Sequence, residues 1–127
     1  MTFPSAAVDG SYPAPGTRTL ASSTISNGTS LSSAIDFGAS TLFGIQIPSS
    51  WTTANLTFQA SADGVTYGNL YDSTGTEVTV TAAASEFIVF ASPAPWLGIR
   101  YLKIRSGTSG TPVNQAADRA LLAVAVS

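Results

Sequence analysis

The sequence predicts an all-β fold: an antiparallel β-sandwich, jelly-roll-like, with an extended N-terminal arm. Three observations point there. Apolar and polar residues alternate with a period of two in about eight short runs. Turn-forming Gly, Pro, Asn, Asp and Ser separate those runs at intervals of roughly 8 to 14 residues, the punctuation of a sandwich or jelly roll. Helical periodicity is nearly absent, so there is no apolar stripe for a helix to bury.

Residues 1–17 hold Pro4, Pro13 and Pro15 with Gly10 and Gly16, a composition that cannot build a helix and disfavours a central strand. It suits an extended arm, whether left in solvent as a loose terminus or docked on a neighbour. Residues 18–127 are enough to bury one core, so a single β-sandwich domain is expected there. Arg18 to Ile25 is the first strand candidate, Asn27-Gly28 marks a turn, and Ser30 to Ile35 is the next extended run. Thr41 to Ile47 places Phe43, Ile45 and Ile47 on one face and stops at Pro48. Pro48 to Ala54 suits one helical turn capped by Ser49 or Ser50.

Asn55 to Tyr71 is the clearest local signal. Leu56, Phe58 and Ala60 alternate with Asn55, Thr57 and Gln59, and Asp63-Gly64 supplies a hairpin turn. Thr76 to Thr81 follows, with Val78 and Val80 inward. Glu86 to Ala91 is apolar on both faces, which predicts a central strand. Residues 92–98 form a proline-stiffened corner that presents Trp96, and Ile99 to Arg105 sets Leu102 and Ile104 against Tyr101, Lys103 and Arg105. Beyond a Gly/Ser loop at 106–111, Arg119 to Val126 closes the chain. Ala and Leu within Gln115 to Val126 also suit a helix, but Val124 and Val126 favour a final strand.

Composition narrows the function. The chain has no cysteine and no histidine, which removes disulfides, thiol chemistry, the commonest general base and the commonest metal ligand. Five basic and seven acidic residues give a net charge of -2, too weak and mixed for the clustered Lys and Arg that a nucleic-acid surface needs. No apolar run approaches the roughly 18 residues that cross a bilayer. The opening MTFPSAAVDGSYPAPG has neither the basic nor the apolar region of a signal peptide, so synthesis in the cytoplasm is expected. Charged residues make up 9% of the chain, against about a quarter in an ordinary soluble domain. That scarcity points to a surface either lined by hydroxyls or covered by neighbours; the second reading is favoured, and it suits a homo-oligomer.

Catalytic patterns are missing from what remains. Asp63 is accounted for by its turn, Asp72 and Glu77 flank Ser73-Thr74-Gly75, and Asp9 lies in the arm. Asp36, Glu86 and Asp118 carry no motif that would pair them across a glycosidic bond. Lys103, the only lysine, sits on a strand position that needs no further explanation. The glycine-bearing stretches 38–44 and 107–110 lack the Lys or helix start of a phosphate cradle. Asp63, Asp72, Glu77 and Asp118 are hard oxygen ligands that could meet around calcium, but no calcium-loop spacing joins them. Asn27-Gly28-Thr29 and Asn55-Leu56-Thr57 match the glycosylation sequon, as chance matches do in a chain this rich in Ser and Thr. No catalytic, cofactor-binding or metal-binding residue is therefore assigned, and a non-enzymatic role is expected. The remaining candidates are rings beside polar groups. Trp51 and Trp96 stand in proline-bearing corners, while Tyr67, Tyr71 and Tyr101 lie on or beside strands. With Asn55, Thr57 and Gln59 they suit a protein interface or, alternatively, a sugar-binding surface.

Two resemblances follow from these runs. Ser61, Asp63, Gly64 and Tyr67, then Arg100-Tyr101-Leu102-Lys103-Ile104, resemble the hairpin and later strand of discoidin-like galactose-binding β-sandwiches. The cysteine bracket of many members and their ligand-binding aromatic spikes are lacking, so this likeness implies fold more than binding. The second covers most of the chain after Ser22. IPSSWTTANLTFQASADGVTYGNLYD and WLGIRYLKIRSGTSGTPVNQAADR resemble small virion proteins of tailed phages and prophages. It implies a non-enzymatic particle component, made in the host cytoplasm and carried on the virion: a capsid decoration protein, a head fibre or a tail-tip module. The implied partners are the major capsid protein or other virion proteins, with the arm burying Phe3, Val8 and Tyr12 against them. A surface glycan is the partner in the alternative reading, an adhesin module.

Overall fold

The computed structural model describes residues 17–92 and 94–127. Eight strands form two antiparallel four-stranded sheets. They are β1 (Arg18–Ile25), β2 (Ile35–Asp36), β3 (Thr41–Gln46), β4 (Leu56–Ser61), β5 (Gly68–Asn69), β6 (Phe87–Val89), β7 (Tyr101–Ser106) and β8 (Arg119–Val126). One sheet runs β1-β8-β3-β6 and the other β2-β7-β4-β5. The pairs β1·β8, β2·β7, β3·β6 and β4·β5 are nested, first strand with last and so inward. This is the pairing of one long antiparallel hairpin rolled into two sheets, a jelly roll. The expected all-β sandwich is therefore the observed one. The arm expected over residues 1–17 lies, apart from Thr17, outside the described residues.

The core fills the space between the sheets. Ile25, Ile45, Leu121 and Ala123 from one sheet face Leu56, Phe58, Leu102 and Ile104 from the other, all fully buried. Alternation explains each contribution, since one face of every strand points inward. Trp96 closes the core from the proline corner, in a 3-10 turn at Ala94–Trp96. It stacks on Phe90 at 4.8 Å and meets Phe58 at 4.9 Å with the rings at 79°.

Five local expectations are corrected. Residues 48–54 form no helical turn, because side chains take the backbone groups instead. The Trp51 indole donates to the Ala54 carbonyl, and Gln115 bonds both the amide and the carbonyl of Thr52. Ser30 to Ile35 is not one strand: the Ser32 hydroxyl accepts from the Ile104 amide, and Ser23 donates to the Ser33 carbonyl. Such side-chain bonds compete with a regular ladder, leaving a bridge at Leu31 and the short β2. Thr76 to Thr81 contributes bridges at Glu77 and Val80, not a continuous strand. Phe43 points to solvent, not inward with Ile45 and Ile47, because a bulge between Leu42 and Gly44 shifts the phase and gives the core Leu42. Finally, the run from Glu86 to Ala91 holds an edge strand, β6, and Phe87 and Val89 are exposed.

Candidate functional site

The hairpin positions the predicted polar face on the outside of the second sheet. β4 and β5 pair through Gln59–Asn69 and Ala60–Gly68, so residues 62–67 form the connection. Asp63-Gly64 is thus part of a six-residue loop, not a two-residue turn. Asp63 Oδ1 accepts from the amides of Val65 and Thr66 and from the Ser61 hydroxyl. These donors hold its carboxyl well below the usual range, at about 2. Gly64 takes φ 79° and lies on the Tyr101 ring, where an added Cβ would stand 3.1 Å from a ring carbon.

Along β7 the outward residues Tyr101, Lys103 and Arg105 oppose Ser61, Gln59 and Thr57 of β4. Thr57 is buried completely and Arg105 nearly so, at 7% exposure, which corrects their expected place on an open face. Four elements converge on them. Arg105 donates to Thr57 Oγ1 at 3.3 Å, Glu77 Oε2 at 3.4 Å and Asn69 Oδ1 at 2.6 Å. Thr57 donates onward to the Gly107 carbonyl at 2.7 Å, and the Glu77 carboxylate accepts from the Ser109 amide. A buried guanidinium needs such partners. This network ties β4, β5, β7 and the loop after β7 together.

Of the remaining candidates, Asn55 is exposed, but its side-chain oxygen accepts from the Ala82 amide. Gln59 reaches Asn69 at 3.5 Å. Tyr67 carries the Lys103 ammonium over its ring at 4.3 Å, and Tyr101 carries the Arg100 guanidinium at 4.9 Å. Arg100 also holds Asp36 through two bonds, of 2.8 and 3.1 Å, lowering the Asp36 pKa. Gln59, Tyr67, Tyr101 and Lys103 therefore make one connected, partly exposed polar surface. Trp51 and Trp96 do not join it. They are 8% and 4% exposed, a correction with a packing cause: each large ring fills the sandwich where a corner crosses it. An open groove of about 480 Å³ runs past Glu77, Val80, Phe90 and Pro95 to Trp96, but Phe90 already stacks on that indole. Among the described residues, no three carboxylates gather where a metal ion could be held. Phe3, Val8 and Tyr12 lie outside the described residues.

The opposite outer face, on the β1-β8-β3-β6 sheet, was not marked by any motif. Leu20, Phe43, Phe87 and Val89 are exposed there. The available signal was the two-sided apolar run at Glu86 to Ala91.

No protein-family model and no curated protein matches the sequence. Among solved structures, the fold is similar to that of the SPBc2 prophage-derived protein YomS, with 16% identity and a TM-score of 0.51. The match covers 87% of this chain and 96% of that one. At this identity the likeness is one of fold.

Proposed function

We infer that the chain is a non-enzymatic structural protein of a tailed-phage particle, a capsid decoration protein that strengthens the head by protein contacts. The observation that carries this reading is the use made of the polar residues. Arg105, Glu77, Thr57 and Asn69 bind one another, and Asp63 and Asp72 bind their own turns. Among the described residues, little side-chain chemistry is left over for a substrate. The sequence resemblance to small virion proteins and the fold likeness to a prophage-derived protein agree with it.

In this reading residues 1–16 lie along neighbouring subunits and bury Phe3, Val8 and Tyr12. Each buried apolar area contributes about 25 cal/mol per Å², and many copies on one shell multiply a weak contact into a strong one. An adhesin reading has less support, because Trp51 and Trp96 are in the core and the Tyr67 and Tyr101 rings already bear cations, which leaves Tyr71 as the exposed ring among the described residues. A chain lacking residues 1–16 tests the arm. Thr17 is retained because its carbonyl accepts from the Ser127 amide. The shortened protein is expected to keep its β-sheet circular dichroism and lose particle binding; unchanged occupancy on particles would overturn the role of the arm.

A further inference from the structure

We propose that the outer face of the β1-β8-β3-β6 sheet is a self-association surface whose occupant is the same face of a second copy. The strand register lays its residues out in rows. Leu20, Val124, Gly44 and Val89 form one row across the four strands, and Ser22, Leu122, Gln46 and Phe87 the next. Val126 and Ala120 extend the face along β8. Val89 is 64% exposed, Phe87 55% and Leu20 50%. Phe43 stands beside them because of the bulge. Phe87 leans over Gly44, its ring carbon 3.4 Å from where a Cβ would sit, which flattens the middle of the face.

Charge separates this face from the other. The outer side of the second sheet carries Asp36, Lys103 and Arg105, with Arg100 beside them. On the apolar face the strands direct outward one charge, Arg18, at the corner where β1 begins. A solvated sheet face ordinarily alternates its apolar side with a polar one. An uncharged face is self-complementary under a two-fold axis: no like charges meet at its centre, and the two Arg18 side chains fall at opposite corners. Strands of 8, 8, 6 and 3 residues, spaced about 4.8 Å apart with about 3.3 Å per residue, give a flat area of about 400 Å². The pair of faces then covers about 800 Å², the size of a weak, reversible association and not of a permanent one. Two such faces pack at about 10 Å with their strands nearly aligned, as sheets do inside a sandwich.

Sedimentation of the full chain, without particles, tests this. The intact protein is expected to shift from monomer towards dimer, or towards a larger assembly of dimers, as its concentration is raised. Val89→Lys and Leu20→Lys alter exposed side chains on opposite edges and are each expected to weaken self-association about tenfold or more. Gln59→Lys, on the other sheet, is expected to leave it unchanged. Circular dichroism checks that the variants fold, and the wild-type result stands even where one does not. A wild-type chain that stays monomeric as its concentration is raised would overturn the proposal, as would lysine variants that fold and associate like wild type. A monomer that associates only after residues 1–16 are removed would overturn it too, by identifying the arm as the occupant. Because no particle is present, these outcomes leave the particle reading untouched, and absence from particles leaves this one standing.

Discussion

Asp63 gathers two backbone amides and a hydroxyl onto one carboxylate oxygen, and its pKa falls to about 2. A carboxyl whose pKa is lowered by folding contributes stability above its ordinary value of 3.8 and loses it as pH falls through about 2. Asp72 and Asp36 are lowered in the same sense, Asp72 first by the Thr74 hydroxyl and Asp36 first by Arg100. All three therefore contribute in the same direction, so stability should fall as pH drops below about 4, with the Asp63 share lost on the way down to about 2. Asp63→Ala is expected to remove one share, leaving a shallower pH dependence in denaturant titrations, while Asp63→Asn keeps an acceptor oxygen for the loop. A carbonyl-detected NMR titration placing Asp63 near 4 would contradict the assignment. Local chemistry made this residue legible in the sequence: Ser-x-Asp-Gly signals a turn from neighbours alone. The loop's length was not legible, because it depends on where β4 and β5 resume pairing.

At the scale of elements, alternation correctly located β1, β4, β7 and β8 and, in β4 and β7, told which side chains enter the core. It could not tell what covers the other side. Thr57 and Arg105 occupy outward positions yet are buried, because Glu77 and the loop at 107–109 close over them. Those groups come from distant parts of the chain and leave no mark on the local period. Phe43 was misplaced for a related reason, since a bulge changes the phase of a strand without changing its composition. Arg105→Ala removes the cation from a site where the Arg105 and Glu77 side chains are 8% and 15% exposed. It is expected to cost about 3 kcal/mol, toward the low end for a broken buried pair. Replacing both residues, Arg105→Met with Glu77→Gln, should cost less than the single change. Chemical denaturation measures these costs; wild type, Arg105→Met, Glu77→Gln and the double variant close the cycle, and an additive result would show that the pair does not act as a unit.

Taken whole, the molecule is a rolled hairpin with one polar outer face and one apolar one. The first holds its charges in internal bonds, and the second has almost none. The nesting of β1 with β8 and β2 with β7 joins residues about a hundred positions and some seventy positions apart. Such pairings explain why strand number and fold class were legible but sheet order was not. They also place β6 at an edge, so that an apolar run expected at a sheet centre becomes half of an exposed face. The central claim is that this molecule works by contact as a component of a phage particle. Particles of the phage to which the proposal assigns this chain, purified through a density gradient, can be analysed by quantitative mass spectrometry. The expected result is a fixed, high ratio of this chain to the major capsid protein, unchanged by further purification. Its absence from particles, with the chain recovered only as free protein in the lysate, would contradict the account.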